Sequence, residues 1–333
     1  MAYLIVWQIE DVFFPLISAI GVPVNLLALV ILSRGKCGLS KCVTQYLIGM
    51  AVADFLVVVF DAIFSITVPI HFPHSFVKIT PVCSTFSALG SAVTVISVWL
   101  TVIFTFDRFV PICNERLKTK FCTQRTAAAF LGTVIVLGCL ESLPWYFTFE
   151  PRYFIDNIPW GCTHKLSYFS SPAWGALEMT SYILTPCVPF FLILLFNVLT
   201  VRRILVSSQI CRGLRGQRIR EKNEDVEMQN WWKSIALLFS ISSSFVLLWA
   251  TQLFYNIHAR ITDVRFYYDS DADSHFITDR TAKMLQVLSS CTNTCIYAVI
   301  QDKFGKELKN VMIYPFKRII KSCNILKSLK LEN

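Results

Sequence analysis

Charged residues are scarce in this chain. Of its 333 residues only 16% are Asp, Glu, Lys or Arg, whereas 54% are apolar. Soluble domains carry about 25% charged and about 45–50% apolar residues, so too little polar material is present to cover a soluble protein of this length. The same apolar excess excludes a disordered chain. The composition therefore predicts an integral membrane protein.

Histidine and cysteine are also sparse, with 5 and 12 residues respectively. The histidines form no cluster along the chain, and His71 and His74 have no acidic neighbour and are separated by a proline. We therefore expect no catalytic metal and no enzymatic activity. Twelve cysteines are too dilute for a small scaffold held together by disulfides.

Seven apolar segments are long enough to cross a bilayer. A hydrocarbon core about 30 Å thick needs about 20 mostly apolar helical residues. The pattern predicts an all-α membrane protein, a seven-transmembrane helix bundle with a short amphipathic cytoplasmic helix after the seventh span. The predicted spans are Val12–Leu32, Tyr46–Ile70, Cys83–Phe106, Thr126–Tyr146, Ala173–Leu199, Ser234–Ile257 and Ala282–Ile300.

Most of the 31 Lys and Arg residues fall in the first, third and fifth loops and in the C-terminal tail. Cytoplasmic loops carry such an excess, so the N-terminus is predicted outside and the C-terminus in the cytoplasm. The net charge of +9 then reports topology, and no nucleic-acid partner is expected. The predicted parts are an extracellular N-terminus (1–11), a seven-transmembrane domain (12–300) and a cytoplasmic amphipathic helix and tail (301–333).

The stretch from Lys303 to Lys321 alternates basic and apolar residues. This pattern is typical of a helix that lies on the anionic inner leaflet, so membrane lipids are expected partners. Cys323, just beyond it, is a candidate lipidation site.

Cys83 and Cys162 are the two cysteines that this topology places on the oxidising side. Cysteines exposed in an oxidising compartment usually pair, and a bridge here would stabilise the fold by about 2–4 kcal/mol. The alternative is two unpaired loop cysteines.

Polar residues inside the membrane are costly and therefore tend to mark function. Asn25 lies in the first span, Asp54 in the second and Trp249 in the sixth. Cys83 and Arg108, at the two ends of the third span, lie about 25 residues apart, which corresponds to about 37 Å of helix.

Two short sequences complete this pattern: Asp107-Arg108-Phe109 and the segment from Asn293 to Tyr297. In order and spacing the chain resembles the rhodopsin-like, class A, G-protein-coupled receptors over nearly its whole length. Within that family, Gly21 to Ser33, Leu248-Trp249 and Asn197 to Arg203 resemble the small group of orphan receptors numbered 139 and 142.

The resemblance implies a plasma-membrane receptor that binds an extracellular ligand and activates heterotrimeric G proteins. It assigns the coupling switch to Asp107, Arg108 and Tyr297. Taken alone, Arg108 can simply extend to lipid headgroups, and Tyr297 can be an aromatic residue of the membrane interface. A receptor homologue that does not signal is an alternative.

The resemblance also implies a sodium site at Asp54, formed with Ser97 and Asn293 and with Asn25 nearby. Sodium is the only ion that we expect, and we expect no cofactor. The alternative for Asp54 is a neutral, hydrogen-bonded structural residue. An ion-coupled transporter or channel could also use intramembrane acids such as Asp54, Asp61 and Glu141, but the chain has no internal repeat.

A ligand pocket is expected among the outer halves of the third, fifth, sixth and seventh spans. Gly90 stands two turns inward of Cys83, where amine receptors carry an aspartate, so a monoamine ligand is not expected. Glu178 and Lys283 could hold the two charges of an amino-acid-like zwitterion or a peptide terminus, could pair with each other, or could reach solvent. The candidate pocket residues are Phe86, Gly90, Glu178, Trp249, Gln252, Leu253, Asn256, Lys283 and Gln286.

Several residues depart from the family pattern. Phe109 replaces the usual tyrosine, and Thr251 and Thr294 stand where most members have prolines. Because proline deletes a backbone hydrogen bond and kinks a helix, the sixth and seventh helices are predicted to be straighter than usual. Trp249 is expected at the pocket floor, although an indole there can also simply fill core volume.

Overall fold

Seven long helices, numbered α1 to α7, make up most of the part of the chain that the structure describes. The computed structural model describes residues 2–113, 121–214, 222–261, 272–311 and 313. Five of the helices are single α-helices: α1 (Ala2–Ser33), α3 (Thr80–Cys113), α4 (Gln124–Ser142), α6 (Lys222–Ile261) and α7 (Ala272–Ile300).

The remaining two long helices contain π-helical segments. Helix α2 runs through Lys41–Val57 as α-helix, Val58–Thr67 as π-helix and Val68–His71 as α-helix again. Helix α5 runs through Pro172–Tyr182, the π-helical Ile183–Cys187 and Val188–Leu214.

Local sequence explains both π segments. In α2, Ser65 Oγ donates to Phe60 O and Thr67 Oγ1 to Ala62 O, each at 2.7 Å, which supports the carbonyls of the widened turns. In α5, Pro186 has no N–H to donate, and Thr185 leaves helical geometry at φ −148° and ψ 95°. Such segments occur frequently at functional sites.

Six of the helices are long and apolar enough to cross a membrane. They cover Leu4–Ser33, Lys41–His71, Thr80–Pro111, Gln124–Thr148, Pro172–Ile204 and Ile235–His258. Helix α7 has 29 residues but a more polar sequence. The predicted all-α bundle is confirmed. Most of its helices extend beyond the predicted spans, whereas α4 ends at Ser142 and a 3₁₀ segment covers the rest of the fourth predicted span. Helix α1 starts at Ala2, so residues 2–11 of the predicted N-terminal segment are helical.

Helix α3 lies centrally and contacts α2, α4, α5 and α6. Helix α1 contacts α2 and α7, and α7 also packs along α6. Large apolar side chains such as Leu247, Phe254 and Val299 are exposed on the outside of the bundle, where a bilayer would cover them. Helices α6 and α7 are uninterrupted, in line with their missing prolines.

The connection between α4 and α5 folds over one end of the bundle. A 3₁₀ segment, Leu143–Thr148, precedes β1 (Phe149–Glu150), β2 (Tyr153–Ile155), β3 (Ile158–Trp160) and β4 (Thr163–His164), and a short helix, Leu166–Ser170, follows. Strands β2 and β3 form an antiparallel hairpin, and β1 pairs with β4 around it.

The hairpin turn has a specific backbone requirement. Asp156 and Asn157 have φ values of 49° and 62°, the left-handed geometry of a two-residue hairpin turn. Asp and Asn tolerate this conformation better than other residues with a side chain.

At the opposite end, residues 302–311 are helical. Phe304 is fully buried there and packs edge-on against Tyr297 of α7, with ring centroids 5.9 Å apart. This agrees with an amphipathic helix after the seventh span. Cys323 lies outside the described residues.

Candidate functional site

Cys83 and Cys162 form a disulfide that fastens the α4–α5 connection to the start of α3, with Cα atoms 6.5 Å apart. Thr80 Oγ1 donates to Gly161 O, and Gly161 N donates to Lys78 O, both at 2.8 Å. The predicted bridge is confirmed. We refer to this end of the bundle as the disulfide end and to the other as the Arg108 end.

A cavity of about 400 Å³, the main cavity, lies beneath this connection. Its lining comes from α3, α5, α6, α7 and the connection itself. Five of the predicted pocket residues line it, namely Glu178, Trp249, Gln252, Asn256 and Gln286. The size lies within the range of about 300–1,000 Å³ that is usual for ligand pockets.

Glu178 is the most deeply placed acid of the main cavity, with only 5% of its surface exposed. It accepts hydrogen bonds from Tyr182 Oη at 2.7 Å and from Tyr168 Oη at 3.2 Å. The Tyr168 ring stacks on His164 of β4 at 4.9 Å. The connection therefore supplies one of the groups that position this carboxylate.

Trp249 lies at the boundary between the main cavity and the apolar core, and 7% of its surface is exposed. Its ring packs on Phe245 at 5.4 Å, and Phe245 packs on Phe190 of α5 at 5.5 Å. Val98 and Ile193 belong to the same buried cluster. A continuous apolar contact thus runs from the cavity into α3, α5 and α6.

Lys283 does not line the main cavity. Its Nζ donates to Asp61 Oδ2 at 3.1 Å, and Thr94 Oγ1 of α3 donates to the same oxygen at 3.1 Å. The structure therefore shows Lys283 paired with Asp61 of α2, a partner outside the arrangements that the sequence left open, and not with Glu178.

Gly90 also has a different role from a pocket wall. A Cβ atom at this position would collide with Asp61 Oδ1. The missing side chain therefore leaves space for a carboxylate that comes from α2. Lys283 compensates its charge.

Phe86 and Leu253 lie outside the lining of the main cavity. Phe86 stacks on Phe64 of α2 at 4.5 Å and lines a second cavity of about 570 Å³, the loop cavity. The loop cavity lies between α2, α3, α7 and the β-strands of the connection.

Within the main cavity, Gln252 Nε2 donates to Asn256 Oδ1 at 2.9 Å, so these two predicted pocket residues are hydrogen-bonded to each other.

Asp54 is 1% exposed and lies at the centre of the bundle. It accepts hydrogen bonds at 2.7 Å from Ser97 Oγ and from Asn293 Nδ2. Asn25 contacts α7, the helix that carries Asn293: its Nδ2 donates to Ser290 O at 3.0 Å, and its Oδ1 accepts from Thr294 Oγ1 at 3.4 Å. The structure brings together all four residues of the predicted ion site, with Asn25 in a supporting position.

The Asp107 carboxylate at the Arg108 end is 4% exposed and forms an ion pair with Arg108. Arg108 donates to Asp107 Oδ2 through both Nε and Nη2. Cys42 Sγ of α2 donates to Asp107 Oδ1 at 3.2 Å, and the Arg108 guanidinium lies 6.0 Å from the centre of the Phe104 ring. The pair is therefore held from two helices.

Tyr297 is 1% exposed and belongs to the core. Its hydroxyl has no hydrogen-bond partner among the described residues. An interfacial aromatic residue would keep its hydroxyl in water, so the structure disfavours that alternative for Tyr297.

Several residues of the site do not follow from sequence reasoning. Tyr182 follows Glu178 by one helical turn, and this spacing was the available signal for their contact. Tyr168, His164 and Thr94 reach the site from other elements, so no local pattern indicates them.

Comparison with known proteins identifies the fold. The family model for the seven-transmembrane receptors of the rhodopsin family matches residues 24–297. Similar proteins include mouse melanopsin, 22% identical over 87% of this chain and 53% of that protein, so the chain spans about half of its length. They also include the mouse probable G-protein coupled receptor 142 (24% identical over 91% of this chain and 73% of that protein) and zebrafish galanin receptor 2a (21% over 93% and 81%).

Proposed function

Because the chain belongs to the rhodopsin family of seven-transmembrane receptors, we propose that it lies in the plasma membrane with its disulfide end outside and its Arg108 end in the cytoplasm. As a G-protein-coupled receptor of this family it is a signalling protein and not an enzyme. The distribution of Lys and Arg supports the orientation, since most of them fall on the Arg108 side. A disulfide at the opposite end fits an oxidising exterior.

The main cavity is the ligand site in this proposal, and heterotrimeric G proteins are the partners at the Arg108 end. The observation that carries the proposal is the contact of Trp249 with both the main cavity and the Phe245–Phe190 pair. A ligand that moves the indole must also move the packing between α5 and α6. A ligand shifts a two-state equilibrium only by its differential affinity for the two states. Because Trp249 contacts both the cavity and the Phe245–Phe190 pair, a ligand can bind with different affinity to two arrangements of α5 and α6.

The Arg108 end supplies the groups that exchange partners. Asp107 forms an ion pair with Arg108 in this structure. In the proposal, a movement of α6 gives the Arg108 guanidinium access to acceptors on a G protein. The buried Tyr297 hydroxyl, which lacks a partner in the described part of the chain, gains one when this end opens. A buried unpaired hydroxyl costs about 1–3 kcal/mol, so such a rearrangement recovers free energy.

The test is guanine-nucleotide exchange on purified G proteins by membranes that contain the receptor. Exchange is expected to exceed that of Arg108→Ala, which removes the switch cation. Arg125→Ala is the matched control, because Arg125 is an exposed residue at the start of α4. If wild-type exchange, with or without tissue extract, equals that of Arg108→Ala for every G-protein class, the signalling proposal is wrong.

We also propose that Asp54, Ser97 and Asn293 bind sodium. A carboxylate and a hydroxyl oxygen are hard ligands that suit a hard cation, and both already lie within hydrogen-bonding distance of each other. Asn25 orients the α7 backbone beside them. The site residues therefore fit a small monovalent ion.

Sodium is expected to raise the thermal midpoint of the detergent-solubilised receptor relative to a potassium-matched buffer. Asp54→Asn should abolish the difference, whereas the matched control Asp61→Asn should retain it. An equal sodium response in Asp54→Asn and wild type rejects the ion site.

A further inference from the structure

The main cavity and the loop cavity have opposite charge. Glu178 and Asp279 line the main cavity, whose described lining contains no Lys or Arg, although Asp279 lies 4.0 Å from the Arg280 guanidinium. Lys78, Arg152 and Arg280 line the loop cavity, whose described lining contains no Asp or Glu. Each cavity therefore favours a ligand group of the opposite sign.

The cations of the loop cavity differ in how they are held. Arg280 Nη1 donates to Glu10 Oε1 of α1 at 3.1 Å, so its charge is already compensated. Lys78 and Arg152 form no ion pair within the described residues. Lys78 lies in the connection between α2 and α3, and Arg152 directly precedes β2; both line the cavity together with the disulfide cysteines. These two side chains therefore give the loop cavity its uncompensated positive charge.

His164 is the residue that lines both cavities. Its ring stacks between Phe149 at 4.4 Å and Tyr168 at 4.9 Å, so its position is fixed by β1 and by the short helix after β4. The two cavities are therefore neighbours across a single aromatic side chain.

The main cavity also contains polar groups that suit an amide. Gln286 is 6% exposed, lines the cavity and forms no side-chain hydrogen bond within the described part of the chain. Thr185 Oγ1 is buried at the same cavity and likewise has no partner among the described residues. Because buried polar groups are normally hydrogen-bonded, a ligand that supplies both a donor and an acceptor fits this wall. A peptide group does so.

Aromatic rings complete the main cavity. Trp145, Tyr168, Trp249 and Tyr255 all belong to its lining. Ring faces attract cations and pack against aromatic side chains, so they favour a cationic group beside the Glu178 carboxylate.

We propose that the ligand is a short peptide whose cationic end and first peptide groups occupy the main cavity while its anionic end lies in the loop cavity against Lys78 and Arg152. The assignment rests on the receptor function proposed above. It excludes a single α-amino acid, because the ammonium and carboxylate groups of such a ligand are attached to the same carbon and cannot lie on opposite sides of His164. It also excludes a simple amine, which leaves the loop cavity empty of a counter-charge.

The probe is a set of four tetrapeptide mixtures with aromatic residues at the two inner positions and with the remaining positions varied. The mixtures differ only at their ends: both ends charged, the N-terminus acetylated, the C-terminus amidated, or both ends blocked. The readout is the thermal midpoint of the purified full-length receptor as a function of peptide concentration. The doubly charged mixture is expected to act at the lowest concentration, and each blocked end should raise the concentration needed about 10-fold or more.

Receptor variants assign each charge to its cavity. Glu178→Gln keeps an acceptor for the two tyrosine hydroxyls but removes the charge, so it should abolish the difference between free and acetylated N-termini. Arg152→Gln combined with Lys78→Gln should abolish the difference between carboxylate and amide C-termini. Glu150→Gln and Lys165→Gln are matched controls outside both linings and should change neither comparison.

The proposal is overturned if no mixture shifts the midpoint, if the four mixtures act at equal concentrations, or if single α-amino acids act as well as the doubly charged peptides. Failure of the receptor function has a different signature. In that case the doubly charged peptides shift the midpoint, but nucleotide exchange stays at the level of Arg108→Ala.

Discussion

Replacing Lys283 by methionine is expected to destabilise the receptor through the charge that it leaves behind. Lys283 Nζ donates to Asp61 Oδ2 at 3.1 Å, and the two side chains are 32% and 10% exposed. Lys283→Met keeps much of the aliphatic volume and removes the ammonium. The Asp61 carboxylate then retains the Thr94 hydroxyl as its described donor.

The magnitude follows from the burial of the pair. Breaking a fully buried ion pair costs about 3–5 kcal/mol, whereas exposed pairs contribute about 0.2–1 kcal/mol. Since Lys283 is about one third exposed, we expect a loss between these limits, about 1–3 kcal/mol. Asp61→Asn should cost a similar amount, because it leaves the ammonium without its carboxylate.

The double substitution Asp61→Asn with Lys283→Met distinguishes the energy of the ion pair from the effect of the changed side-chain volumes. It removes both charges, so its cost should fall below the sum of the two single costs by about 1–2 kcal/mol. The assay is the thermal midpoint of the four detergent-solubilised proteins, where about 1 kcal/mol corresponds to a change of about 2–4 °C. Additive shifts in midpoint, or a Lys283→Met protein as stable as wild type, would refute the pairing.

Three further predictions concern other parts of the bundle. Cys83→Ser should lower surface expression and expose Cys162 to a thiol-reactive label, and unchanged labelling would contradict the bridge. Gly90→Ala should lower the thermal midpoint by an amount equivalent to about 1–3 kcal/mol, because its Cβ collides with the carboxylate that fills this space; a midpoint equal to that of wild type would argue against this close contact. Lys233→Ala should raise ligand-independent nucleotide exchange, because Lys233 of α6 forms an ion pair with Asp302 beyond α7, and basal exchange equal to wild type would exclude a restraining role for the pair.

The helices and the centre of the bundle were predictable from the sequence. Long apolar segments must satisfy their backbone hydrogen bonds internally in a bilayer, so seven such segments leave helices as the available structure. The meeting of Asp54 with Ser97 and Asn293 came from the resemblance to the receptor family, and the structure shows the contacts.

The partners of the pocket charges were not predictable from the sequence. Glu178 and Lys283 were left with several possible arrangements, and each one meets a residue from another element. A contact between helices depends on the rotation of each helix about its axis, and small changes in rotation exchange one neighbour for another. In α2 the π-helical segment Val58–Thr67 changes that rotation and carries Asp61 within it.

The sequence by itself predicted the membrane class, the seven helices, the pairing of Cys83 with Cys162 and the order of Asp107, Arg108 and Tyr297 along the chain. These follow from composition and periodicity along one chain, together with the family's spacing of motifs. Only the tertiary structure decided that Lys283 pairs with Asp61, that Gly90 makes room for that carboxylate, and that two oppositely charged cavities meet at His164. Such contacts join elements distant in sequence, and helix rotation together with the fold of the α4–α5 connection determines which side chains come within hydrogen-bonding distance.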